Sequence, residues 1–156
     1  MAYTKVSFQN LAIKYGLMVG AAHIVYFLLM RVLGLIHNIG LSFLSGIFLI
    51  IGIVLAISKY KKLQGGMLRY FEGLGIGAIT AAVSSLILGL FLVLFVSLFD
   101  RTYMDALSAS GYFPEGLSIL SLFLVAVLEG AVPGFIATFV IMQWFKRQDH
   151  SMSDRG

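Results

Sequence analysis

Four long apolar runs limit this chain more than any other feature. They lie at about Leu11–Ile36, Leu41–Ser58, Gly73–Phe99 and Leu117–Phe145. A bilayer-crossing helix needs about 20 mainly apolar residues, because the hydrocarbon core is about 30 Å thick and each residue rises about 1.5 Å. Within each run the apolar residues go all the way round, as suits faces shared by lipid and neighbouring helices. The third and fourth exceed the minimum, so they must tilt, kink or project past the bilayer. Composition points the same way. The 156 residues are 60% hydrophobic and 12% charged, with mean hydropathy +0.97, against about 45–50% and 25% in average soluble domains. A soluble globule of that balance could not cover its core with polar surface. The reading is an all-α membrane protein with four transmembrane helices. Residues 1–147 form one membrane domain, and 148–156 form a polar tail expected to be disordered.

The connections set the topology. HNIG, His37 to Gly40, reads as a tight turn that makes the first two spans a hairpin. Lys59 to Glu72 reads as a basic loop broken at Gly65–Gly66, and Asp100 to Gly116 as a longer, mostly acidic one. The latter is expected to hold a short interfacial helix around Tyr103–Leu107, with Tyr103, Tyr112 and Phe113 at headgroup level. Lys5, Lys14, Lys59, Lys61, Lys62, Arg69, Lys146, Arg147 and Arg155 fall on one side of this topology; only Arg31 and Arg101 fall near the other. Such an asymmetry places both termini and the basic loop in the cytoplasm. The net charge of +4 is thereby read as membrane topology, and no nucleic-acid partner is expected. Absence of cysteine excludes disulfides and thiolate metal sites. The first apolar run is too long for a signal-peptide core and is expected to be retained.

The chain repeats itself. GLSFLS (Gly40–Ser45) opens the second run and GLSILS (Gly116–Ser121) the fourth. GLMVGA after Tyr15 is echoed by GLGIGA after Glu72. The expectation is two repeated hairpins, about 14–62 and 71–147, forming a four-helix bundle with a pseudo-twofold axis along the membrane normal.

Helices in lipid associate through small residues that let backbones approach. The third run offers Gly73, Gly77, Ala81, Ser85 and Gly89 at spacing four; the fourth offers Gly130, Gly134 and Thr138, and the first Gly16 and Gly20. These are the expected packing positions. GLGIG is not a dinucleotide fingerprint, since it lacks the preceding strand and the full spacing. No other phosphate, metal or triad motif is present, so no cofactor, metal or catalytic residue is nominated.

Ionisable residues are costly inside a membrane, by about 2.5–3.5 kcal/mol for Arg or Asp at the centre of a span on insertion scales. His23, Arg31 and Glu129 lie within spans. Arg31 is near an end and can snorkel. By depth arithmetic His23, Glu129 and Thr80, the repeat partner of His23, fall in one layer, a candidate intramembrane polar site. Pro133, four residues after Glu129, leaves the Glu129 carbonyl without its helical donor and is expected to kink the helix. His23 is expected to donate to the Glu129 region. Three roles are open for the layer: locking helix packing, a proton or ion pathway, and a docking contact.

KYG-x-x-x-G (Lys14, Tyr15, Gly16, Gly20), KYKK with Gly65–Gly66, and Phe71 with Gly73 or Gly77 resemble the bacterial membrane family called domain of unknown function 4199. The resemblance covers nearly the whole chain. It departs after the third span, where members often carry an acid–proline pair and this chain reads FDRTY (Phe99–Tyr103). It implies the inner membrane of a Gram-negative bacterium and no established activity.

The leading functional expectation is a non-enzymatic membrane protein, an accessory or scaffold for another membrane protein or a self-associating bundle, with the lipid bilayer as its constant partner. A small proton- or ion-coupled transporter acting as an oligomer is the alternative. An enzyme acting on lipid ranks third, since Glu72 is the only acid in the basic loop.

Overall fold

The structure is a computed structural model that describes residues 7–35, 39–99, 105, 109 and 118–152. Four long helices carry the described residues: α1 (Phe8–Val32), α2 (Ile39–Leu63), α3 (Tyr70–Leu98) and α4 (Ile119–Met152). All four are long and apolar enough to cross a membrane. The chain is an all-α, four-span, multi-pass membrane protein.

Helix ends follow local chemistry rather than hydropathy. The first span ends at Val32, not Ile36, because Gly34 takes φ +69°. The Leu35 N–H then reaches the Met30 carbonyl at 2.9 Å and the Gly34 N–H reaches Arg31 at 3.1 Å. This Schellman cap satisfies carbonyls that the helix would leave open. α2 runs five residues past the expected Ser58, since nothing in KYKKL breaks a helix. Gly65, at φ +69°, ends it with the same pair of bonds, from Gly66 to Lys61 at 2.9 Å and from Gly65 to Lys62 at 3.3 Å. At the start of α4, Ser118 Oγ accepts the Ser121 N–H at 3.1 Å, an N-cap. α4 passes through Pro133 without interruption and continues to Met152. The expected disordered tail is therefore helical over 148–152. His37 and Asn38 in the expected tight turn lie outside the described residues, as do Tyr103, Tyr112 and Phe113. Within the proposed interfacial helix, Asp105 is described and is helical.

α3 is the hub. It packs most extensively on α4 and α1, while α2 lies against α1, α3 and α4. With α2 touching α3, this leaves α1 and α4 at opposite corners. The α3–α4 seam is antiparallel and built from small residues. Gly73 faces Met142, Gly77 faces Thr138, Gly134 faces Ala81 and Gly130 faces Ser85. A Cβ added to Gly130 would stand 2.6 Å from Ser85 Cβ, so the two backbones are as close as side chains permit. Gly89 meets Phe123 and Val127, where the seam opens to larger side chains. α1 and α3 run parallel, with Gly16 on Val83 and Gly20 on Ile87. The apolar core lies toward the end carrying the basic α2–α3 connection, where Ala12, Ile53, Ala56, Ile57 and Ile76 are fully buried.

These registers bear on the repeated phrases. The echo pairs Gly16 with Gly73 and His23 with Thr80, but in space Thr80 lies beside Ala12 and Gly16. The echoed positions are thus offset by about ten residues, or about 15 Å along the bundle. A rotation about the membrane normal preserves depth, so this packing gives the duplication no support. The echoed hexapeptides also differ in use. The first is helical from its first residue, whereas Ser118 of the second is a cap.

Candidate functional site

Thr80 is fully buried and donates to the Ala12 carbonyl at 3.2 Å, tying α3 to α1. The other buried serine and threonine hydroxyls bond within their own helices. Ser84 donates to the Ala81 carbonyl and Ser85 to that of Ala82, both at 3.0 Å. Thr138 donates to Gly134 at 2.7 Å. Back-bonding of this kind satisfies a hydroxyl without any partner across the interface.

His23 is 7% exposed. Its Nε2 donates to the Ser45 carbonyl of α2 at 2.9 Å, and Nδ1 is buried with no hydrogen-bond partner among the described residues. The ring meets Phe48 edge-on at 6.4 Å. One turn on, the Tyr26 hydroxyl donates to the Leu41 carbonyl at 2.6 Å and its ring lies 5.5 Å from Phe48. These contacts stitch the second half of α1 to the first half of α2. Beside them an open apolar groove of ≈ 350 Å³ is lined by Ala21, Ala22, Val25, Tyr26, Leu29 and Phe48.

The expected polar layer does not assemble. Thr80 is at the height of Ala12, and His23 is three residues beyond Gly20, which meets Ile87. Glu129 adjoins Gly130, which faces Ser85, and so lies between the two heights. It is also exposed, on the corner of the bundle away from α1. The donor bond of His23 therefore goes to Ser45 and not to the Glu129 region. The cause is angular. Gly130, Gly134, Thr138 and Met142 form the row against α3, and Glu129 stands about 100° round from Gly130. Pro133 is exposed beside it, so the freed carbonyl of residue 129 belongs to that outward surface.

The sequence groups Lys14 with the charges of the cytoplasmic side, and the packing adds its height along α3. Ala12 and Gly16 both contact Thr80, so Lys14 stands at about the height of Ala81, about 16 Å along α3 from Tyr70. It is exposed. No local signal in α1 reveals this, because depth is set by the register with α3. Arg31 is near the far end, with its guanidinium 6.0 Å from the Phe95 ring centroid.

At the basic end, polar side chains mark a boundary. The Tyr60 hydroxyl donates to Glu72 at 3.3 Å and accepts from Gln64 at 3.0 Å. Gln143 donates to the Tyr70 hydroxyl at 3.3 Å, and Lys61 Nζ lies 5.7 Å from the Phe145 ring centroid. Trp144 and Phe71 are exposed at the same level, an aromatic belt of the kind found at membrane interfaces.

No curated protein and no solved structure matches this chain. A family model described as "Protein of unknown function (DUF4199)" matches residues 14–112. The match opens on the Lys14–Tyr15–Gly16 motif, covers α1 to α3, and leaves α4 outside. By that match, together with its four apolar spans, the chain belongs to the DUF4199 family.

Proposed function

We propose that the protein is a non-enzymatic bundle of the bacterial inner membrane that works by association, as a self-associating scaffold. The observation that carries this reading is the closed interior. The α3–α4 seam is filled backbone to backbone, and its buried hydroxyls are bonded to main-chain carbonyls. A single copy therefore offers its chemistry on its outer surface. The positive ends support cytoplasmic termini: Lys59, Lys61, Lys62 and Arg69 all lie at the α2–α3 end. The test is co-expression of two differently tagged copies, mild extraction, and capture through one tag. Recovery of the second copy in stoichiometric amount supports self-association. Recovery of a stoichiometric foreign membrane protein in its place assigns an accessory role instead.

A second reading is an oligomeric proton- or ion-coupled transporter. It is favoured by one observation, the carboxyl of Glu129 standing on an outer face well inside the span. Proton flux into liposomes that is lost in Glu129→Gln would support it.

A further inference from the structure

We propose that copies of this chain join head to tail, α1 of one protomer against α4 of the next, through an ion pair between Lys14 and Glu129 deep in the bilayer. The proposal rests on the self-associating reading and names its contact.

Both side chains are exposed. Neither makes a hydrogen bond or ion pair among the described residues. Each is set among large exposed apolar groups, Lys14 beside Leu17 and Met18, Glu129 beside Leu128 and Val132. Height is the decisive quantity. Lys14 is level with about Ala81 and Glu129 with about Leu86 of α3. Lys14 is therefore about 16 Å from the α3 start at Tyr70, and Glu129 about 18 Å from its end at Leu98. With a hydrocarbon core of about 30 Å centred on the 29-residue α3, the two straddle the midplane, each within about 5 Å of it. A lysine stem reaches about 6 Å, which is too short to carry the ammonium from there to the headgroups. Two opposite charges, one per chain end of the bundle's long diagonal, are thus left in lipid at nearly the same depth.

They are not paired within one copy, where α1 and α4 pack mainly on α2 and α3 and little on each other. They can meet between copies. Protomers inserted in the same orientation present α1 and α4 antiparallel, and the remaining offset is about 7.5 Å, nearly one and a half helical turns. Cβ bonds tilt toward each helix's own start, which carries the two stems apart, so the flexible lysine stem has to extend toward the C-terminal end of α1 to reach the Glu129 region. The ammonium has three donors. The Glu129 carboxylate and the carbonyl freed by Pro133, on the same exposed face, are acceptors for it. Because the two surfaces are on opposite corners, the contact is heterologous. Such contacts build rings where the rotation between copies closes and open rows where it does not, rather than two-fold dimers.

The chain has no cysteine, so paired cysteines report this contact alone. Leu17→Cys and Val132→Cys lie on the two proposed faces and are 53% and 51% exposed. In native membranes under mild oxidation, the double variant is expected to give a ladder of cross-linked species, and neither single variant a dimer. Lys14→Glu or Glu129→Lys in that background should cut the ladder at least tenfold, and both changes together in one chain should restore it. Co-expressing the Lys14→Glu chain with the Glu129→Lys chain should also restore it, since each repairs the other's interface. Glu129→Gln keeps the size of the side chain and covers the case in which a reversed charge prevents insertion; it too should weaken the ladder. A ladder unaffected by the charge changes overturns the ion pair. If cross-linking fails while two-tag capture still recovers a second copy, the contact is elsewhere and self-association stands. If capture recovers no second copy, both readings fall.

Discussion

Gly134→Ala should be among the most damaging single-methyl changes in the bundle, and its cost should be reversible by removing one methyl elsewhere. A Cβ at Gly134 would stand 2.5 Å from Ala81 Cβ and 2.9 Å from Leu49 Cδ2. The leucine tip can rotate away, but Ala81 Cβ is fixed to the α3 backbone. Ordinary contact therefore requires α3 and α4 to separate by about 1 Å. The same shift loosens the neighbouring rows, Gly130 on Ser85 and Gly77 on Thr138. Overpacking of this kind costs about 1–3 kcal/mol, against which alanine returns up to about 1 kcal/mol in helix propensity. The net expectation is a loss of about 1–2 kcal/mol, read by reversible unfolding in mixed detergent. Ala81→Gly in the same chain transfers the methyl from one helix to the other and should recover most of the loss, a coupling between contacting residues. Gly46→Ala is the control: nothing lies within 4 Å of a Cβ there, and the change should be neutral or slightly stabilising. Gly134→Ala matching the parent in stability, or a pair of changes whose effects simply add, would refute the close-seam argument.

Three further expectations follow from separate parts of the molecule. Thr80→Val removes the hydroxyl bonded to Ala12 while keeping the shape, and should cost about 0.5–1.5 kcal/mol in the same unfolding assay, the range for interhelical bonds in membranes. Gly65→Ala places a side chain at φ +69° in the α2 cap; a loss of about 1 kcal/mol is expected, and no loss would mean that the cap is not formed in solution. An alkaline phosphatase fusion after Lys62 should be inactive, and an active one would reverse the proposed orientation.

The sequence made the spans legible because hydropathy is local. It also made the α3–α4 seam legible, since spacing four along each helix marks its close-packing face without reference to the other. Register between helices is a different matter. Nothing in α1 says that Ala12 will sit on Thr80, so the echo of GLMVGA in GLGIGA suggested a common depth that the packing does not keep. Lys14 illustrates the same point: a charge three residues past the start of an apolar run reads as an end charge, and its height beside α3 follows only from the neighbouring helix. Glu129 was different, because its outward direction was available from the pattern. Once Gly130 and Gly134 are assigned to the seam, the preceding residue must stand about 100° away from it. Depth alone had suggested a layer with His23 and Thr80. The end of α1 at Gly34 could also be anticipated, as glycine is the usual residue for a left-handed helix stop.

The most direct test of the central claim is the mass of the intact assembly released from native membranes into mild detergent. The account predicts a whole-number multiple, greater than two, of the 17.1 kDa chain, falling to the single chain in Glu129→Lys. A parent protein that flies as a single chain, with its lipids and nothing else, would contradict it.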